Sequence, residues 1–212
     1  MSELIISVIG QKGGTAKSTL ARAIAREYAA SDWSVKIADM DLGQSTNYRW
    51  HQRRLQTGIE PSLEVSQYKS TKEALLGSDG FDLLVFDGAG VSTRLTLDMA
   101  VVSQLVVIPT GLAVDDLEPS VRLANDLSQH VKVSDISFAL CRVGNSQGEL
   151  EEAQAYIGQT RYHLLDGYVP ERTGYRRASD LGRTITETSY PALNERADQL
   201  IQSIINRIEE IR

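Results

Sequence analysis

The sequence predicts an α/β fold in which a doubly wound, mostly parallel sheet is flanked by helices. Three observations carry this expectation. Apolar runs at residues 4–9, 35–38, 83–86, 105–108 and 136–141 are short and nearly unbroken, as strands covered on both faces are. Segments of helical periodicity lie between them, and such alternation gives a parallel sheet with right-handed crossovers. A glycine-rich stretch, Gly13-Gly14-Thr15-Ala16, separates the first run from the first helical segment.

In chain order, the run Leu4-Ile5-Ile6-Ser7-Val8-Ile9 is followed by a helical pattern over 18–30 and a second strand at 35–38. A polar helix is expected over 46–58, a weaker strand at 63–68 and a short helix over 70–76. The third and fourth strong runs, Leu83-Leu84-Val85-Phe86 and Leu105-Val106-Val107-Ile108, are each followed by a helical pattern, over 95–102 and 116–130. After the run at 136–141 come a helix over 149–157 and a weak strand at 167–169. The last 22 residues, from Pro191 to Arg212, form a long helix with Leu193, Ala197, Leu200, Ile201, Ile204, Ile205, Ile208 and Ile211 on one stripe. That stripe lacks aromatic residues, and the other face mixes Glu195, Asp198, Glu209 and Glu210 with arginines. Packing on the sheet therefore outweighs a membrane-surface role.

With 212 residues, 42% of them hydrophobic, the chain is expected to be a single domain spanning 1–212 with a sizeable core. No apolar stretch is long enough to span a bilayer, so no membrane anchor is expected. The start, Met-Ser-Glu and then a strand, lacks a basic region and a cleavage site, which suggests a cytoplasmic protein. Cys141 is the only cysteine, so neither an intrachain disulfide nor a cysteine-built metal cluster forms within one copy. A net charge of −6 excludes a surface built throughout to coat nucleic acid and confines any DNA contact to a local patch.

Three elements carry chemistry. In Gly13-Gly14-Thr15-Ala16-Lys17-Ser18, the glycines let backbone N–H groups turn inward around phosphates, and the following helix adds its positive end. Lys17 supplies a point charge to the β/γ-phosphates, and Ser18 a hydroxyl to Mg²⁺. The usual first and last glycines of this P-loop pattern are Gln11 and Ala16 here. A Cβ at residue 16 either fits with φ below zero or presses on the phosphates. Asp39 and Asp41 follow the second strand, at the sheet end where ligands gather. Asp87 ends an apolar strand and precedes Gly88-Ala89-Gly90, a pattern whose carboxylate holds Mg²⁺. One strand-terminal Asp alone would read as a cap or turn residue. Three such elements in order read as a P-loop nucleotide site of deviant Walker A type, binding ATP or ADP with Mg²⁺.

Lys12-Gly13-Gly14-x-x-Lys17-Ser18-Thr19, Asp39-x-Asp41 and the segment from Phe81 to Gly90 resemble the ParA/MinD family of deviant Walker ATPases. Gln104-Leu105-Val106-Val107-Ile108-Pro109, Val169-Pro170-Glu171-Arg172 and Gly182-Arg183-Thr184 extend the likeness over nearly the whole chain. The size resembles the short plasmid-partition ParA proteins, including the ParF type. The resemblance implies that Lys12 is a signature lysine reaching a partner subunit's phosphates across an ATP sandwich dimer. It also implies that Asp41 orients the attacking water, Asp39 shapes the magnesium site, Thr19 contacts the α-phosphate and Pro170-Glu171-Arg172 line the adenine. Asp116 matches an acidic family position, with a helix N-cap as the alternative.

The same likeness makes Arg172, Arg176, Arg177 and Arg183 a face for nonspecific DNA in an ATP-bound homodimer, since doubling a modest patch multiplies affinity. The implied cycle is nucleoid-associated DNA partition, with hydrolysis stimulated by a small site-specific, centromere-binding partner protein. Two departures stand out: Leu42-Gly43 replaces the usual Pro-Gln after Asp41, with Gln44 one residue later, and Thr110-Gly111-Leu112 follows Pro109 where short partition proteins often carry more prolines. Three alternatives stay open to different degrees. A MinD-like regulator would need a better membrane helix, and an iron–sulfur relative would need at least two cysteines per subunit. A metabolic or regulatory relative with slow hydrolysis is compatible with Ala16 and the altered segment after Asp41.

Overall fold

A computed structural model of the chain describes residues 2–43, 45–90 and 94–212. Gln44, the displaced glutamine, lies outside the described residues. The elements in order are β1 (Leu4–Val8), α1 (Lys17–Ala30), β2 (Val35–Asp39), α2 (Thr46–Thr57), β3 (Glu64–Gln67), α3 (Thr71–Gly77), β4 (Leu83–Asp87) and α4 (Arg94–Val102). They continue with β5 (Leu105–Thr110), α5 (Val114–Leu127), β6 (Ile136–Val143), α6 (Gln147–Gly158), β7 (His163–Pro170), α7 (Thr173–Asp180) and α8 (Pro191–Ile211).

The seven strands form one sheet in the order β3-β2-β4-β1-β5-β6-β7, and every pairing is parallel. The sheet is thus wholly rather than mostly parallel. Strand alternation divides the core into two layers. Leu4, Ile6, Val8, Leu83, Val85, Leu105 and Val107 face one layer, with Leu20 and Ile24 of α1 and Leu200, Ile204 and Ile208 of α8. Ile5, Leu84, Phe86, Val106 and Ile108 face the other, with Ala74 of α3, Met99 of α4, Leu123 of α5 and Leu150 of α6. The apolar stripe of α8 is therefore spent on the core. Among the described residues no helix is long and apolar enough to cross a membrane.

Three expectations need correction. The weak strand at 167–169 is the end of an eight-residue strand, β7. Gly167 sits at φ +80, pressed against the backbone of Leu200, and the pairing with β6 shifts register there, so the strand does not read as an unbroken apolar run. Helix α7 was not expected; it buries only Tyr175 and Ala178, too little for an apolar stripe. Asp116 is not an N-cap, because α5 starts two residues earlier with Ala113 as its cap, and Asp116 lies in the first turn.

Candidate functional site

The carboxyl ends of β1, β2 and β4 converge on one edge of the sheet. Asp39 and Asp87 are direct neighbours in the β2–β4 register, and Val8 pairs with Asp87 across β1–β4. The turn from β1 into α1 wraps over this edge. Gly14 takes φ +77 and Ala16, the cap residue of α1, takes φ +76. The first alternative foreseen for Ala16, φ below zero, does not hold: the residue lies in the left-handed region, which costs an L-residue about 1–2 kcal/mol. Gly90 packs so closely on the turn that a Cβ there would lie 3.1 Å from the Gly13 nitrogen.

The two lysines of the turn point to different places. Lys17 Nζ donates to the Lys12 carbonyl at 2.6 Å, and the Thr15 hydroxyl donates to the same oxygen at 3.3 Å. Burial lowers the Lys17 pKa, opposed by the charges of Asp87 and Asp41. Lys12 Nζ instead reaches Asp116 Oδ1 at 2.7 Å, with its side chain 46% exposed.

Asp87 is 2% exposed. Its Oδ2 accepts from Ser18 Oγ and from Asn47 Nδ2, each at 2.6 Å, while Oδ1 has no hydrogen-bond partner. Burial pushes its pKa up to about 7, with Ser18, Arg22 and Lys17 opposing and Asp39 adding to the rise. Asp39 is fully buried and accepts from the Asp41 nitrogen at 3.1 Å and the Asn47 nitrogen at 3.2 Å. Both acceptances fix the backbone between β2 and α2. Burial raises its pKa against those hydrogen bonds. Asp41 lines a cleft of about 280 Å³ with Gly13, Lys17, Ser18 and Gly88.

A larger cleft of about 540 Å³ adjoins it, and the two share Gly14, Ala16, Thr19, Arg22 and Ser179. Pro170, Glu171 and Arg172 line the larger cleft, as do Arg176 and Arg183. Arg177 lies outside that lining, exposed on α7. Arg172 donates to Asn145 Oδ1 at 2.8 Å, Arg176 to Glu171 Oε1 at 3.3 Å and Arg183 to the Glu187 carbonyl at 3.4 Å.

Sequence reasoning missed three residues here. Arg142, at φ +57 near the end of β6, donates to the Gly14 carbonyl at 3.3 Å and to Glu171 Oε2 at 3.5 Å. Arg22, 4% exposed, donates to Asn47 Oδ1 at 2.6 Å and to Ser179 Oγ at 3.2 Å, and stacks 5.0 Å from the Trp50 ring centre. Burial lowers its pKa to about 10, with Asp87 the main opposing charge. Asn47 is the third, fully buried in the first turn of α2. A lone arginine amid Leu20, Ala21, Ala23 and Ile24 was the one available signal.

These groups fit a nucleotide with Mg²⁺. The turn offers backbone donors and Lys17 to phosphates, while Ser18 Oγ and the unsatisfied Asp87 Oδ1 offer two oxygens to the ion. Mg²⁺ commonly takes its remaining ligands from phosphates and water. Among the described residues no three His, Cys, Asp or Glu side chains cluster so as to hold a metal ion by themselves.

The family model for the CobQ/CobB/MinD/ParA nucleotide binding domain matches residues 6–185. Among curated proteins none matches the sequence significantly. Several solved structures share the fold. The Pyrococcus furiosus cell division ATPase MinD superposes with a TM-score of 0.72 at 18% identity, covering 96% of this chain and 99% of its own. A putative plasmid partition protein from Borrelia burgdorferi B31, bound to AMPPNP, gives 0.70 at 18% identity, covering 97% and 100%. Apo McdA from Cyanthece gives 0.72 at 14% identity, covering 95% and 99%.

Proposed function

Since the chain belongs to the CobQ/CobB/MinD/ParA nucleotide-binding domain family, we propose that it is a ParA-type ATPase that partitions plasmid or chromosomal DNA. It binds ATP with Mg²⁺, pairs as a sandwich dimer over the nucleotides and holds DNA nonspecifically. A small centromere-binding protein stimulates hydrolysis and resets the dimer.

The observation that carries this reading is the divergence of the two lysines. Lys17 lines the phosphate cleft, whereas Lys12 is absent from that lining and half-exposed on the outer side of the turn. A second cation near the phosphates is useful, since charge develops on the transferred phosphoryl group. In this reading Lys12 provides it to another copy rather than to its own nucleotide. Lys17 binds the β/γ-phosphates, Thr19 the α-phosphate, and Ser18 and Asp87 the ion, with Asp39 holding the strand end in place. Asp41 orients the water, and Pro170, Glu171 and Arg172 line the base. Mg²⁺ held by Ser18 and Asp87 would supply charge neutralisation to the phosphates and the departing ADP. Arg172, Arg176, Arg177 and Arg183 supply the DNA contact, doubled by dimerisation. The AMPPNP-bound plasmid partition protein supports this choice of substrate and cargo.

A direct test compares binding to nonspecific duplex DNA at low salt with ATP, with ADP and without nucleotide. DNA binding should require ATP and scale with dimer formation; an ATP-bound dimer with no affinity for DNA overturns the partition reading. A second reading, a nucleotide-binding regulator with little turnover, is favoured by the strained Ala16. ATP binding and dimerisation without partner-stimulated hydrolysis would select it.

A further inference from the structure

Asn47 stands between two buried opposite charges. Its Nδ2 donates to Asp87 Oδ2 and its Oδ1 accepts from Arg22 Nε, both at 2.6 Å, so the contact between cation and anion runs through one carboxamide. Each charge keeps one buried atom without a hydrogen-bond partner, Arg22 Nη2 and Asp87 Oδ1. Unsatisfied buried charged atoms are costly, and a forked arginine–carboxylate pair would satisfy both. That pair would also occupy the oxygen the cation needs.

We propose that Asn47 is a positioning residue that keeps Arg22 off Asp87 and so holds Asp87 Oδ1 open to the divalent cation accompanying the nucleotide. The role rests on the reading of Ser18 and Asp87 as the cation's holders. Asn47 is suited to it because its own backbone is fixed, the nitrogen donating to Asp39 Oδ2 at 3.2 Å. A carboxamide donates on one side and accepts on the other, which matches a carboxylate and a guanidinium. Arg22 also donates to Ser179 Oγ and lies over the Trp50 ring. Loss of the spacer therefore removes the carboxamide that now takes up the hydrogen bonds of both groups.

The test is calorimetric titration of ADP in excess MgCl₂ and in EDTA, with wild type, Asn47→Ala, Arg22→Met and the double variant. Magnesium should tighten ADP binding to the wild type. In Asn47→Ala that tightening should shrink by about 10–100-fold, the usual loss when a group orienting a metal ligand is removed, with affinity in EDTA nearly unchanged. The double variant should regain most of it, because the competing cation is gone. A merely structural role predicts the opposite, a double variant at least as impaired as the single. Should Asn47→Ala fail to fold, Asn47→Ser takes its place, since one small hydroxyl cannot span both groups. A full magnesium effect in the single variant, or no recovery in the double, overturns the proposal. A wild type indifferent to magnesium overturns the cation reading as well, and so separates the two failures.

Discussion

Lys12 and Asp116, 104 positions apart, meet at 2.7 Å and tie the turn before α1 to the first turn of α5. If Lys12 serves a partner's nucleotide, this ion pair must open before the dimer closes. Both side chains are partly exposed, so the pair is worth no more than about 1 kcal/mol. Because each subunit opens one such pair, Asp116→Ala should lower the ATP-dependent dimer dissociation constant by at most about 30-fold, measured by light scattering across protein concentration. A weaker dimer would mean that Asp116 helps closure rather than restraining Lys12.

Lys12→Ala and Lys17→Ala should separate binding from turnover. Lys17 lines the cleft beside Asp41, and on the proposed reading phosphates replace its tie to the Lys12 carbonyl. Lys17→Ala should lose about ten-fold or more in ATP affinity, as removal of a charged hydrogen-bond partner of about 1.5–3 kcal/mol implies. Lys12→Ala should keep ATP affinity and lose dimer-dependent hydrolysis. Equal ATP affinity in wild type and Lys17→Ala would remove Lys17 from the site.

Ala16→Gly tests the strained cap of α1. A glycine adopts φ +76 without the Cβ penalty of about 1–2 kcal/mol, less the extra freedom it brings to the unfolded chain. The net gain should be about 0.5–1 kcal/mol, read as a melting temperature higher by roughly 1–4 °C. A lower melting temperature would mean that the Ala16 methyl contributes packing against the α1 layer that outweighs its strain.

The sheet was legible because strands covered on both faces leave unbroken apolar runs, and the turn because glycines, Lys17 and Ser18 fall within six residues. What lay hidden depends on tertiary contact. Asn47 reaches Asp87 across 40 positions and Arg22 reaches Ser179 across 157, so no local pattern announces either. Asp39 was visible as a carboxylate at a strand end, but not that its oxygens accept backbone N–H groups of the β2–α2 connection. The four arginines cluster in sequence, yet a helix turns successive side chains about 100° apart. Arg176 and Arg177 consequently face different surroundings.

Glu187 should dominate part of the acid unfolding. Its carboxylate accepts from both Arg54 Nη atoms at 2.8 and 3.0 Å and from the Thr184 nitrogen at 2.8 Å. Burial alone would raise its pKa, but these hydrogen bonds and the charges of Arg54 and Arg26 hold it below the ordinary value. A lowered carboxylate pKa stabilises the fold above the unfolded value and loses that contribution as pH falls through the folded one. Glu187→Gln strands a buried arginine and should cost about 3–5 kcal/mol at neutral pH. In urea titrations the gap from wild type should narrow below about pH 4, and a gap independent of pH would contradict the linkage.

The split of the arginines gives the sharpest test of how DNA and nucleotide share this end of the molecule. Arg176 lines the larger cleft and donates to Glu171, which also accepts from Arg142, itself bonded to the Gly14 carbonyl of the phosphate turn. Arg177, one residue on, is exposed and outside that lining. Arg177→Ala should leave ADP affinity unchanged while weakening DNA binding by the ATP-bound dimer, with the salt slope falling by about 1 per arginine and so about 2 per dimer. Arg176→Ala should change both ADP affinity and DNA binding, because it loosens the Glu171 side of the cleft as well as removing a charge. If Arg177→Ala left the salt slope intact and Arg176→Ala altered nucleotide affinity alone, the cluster would belong to the nucleotide, and the DNA contact would have to lie elsewhere on the dimer.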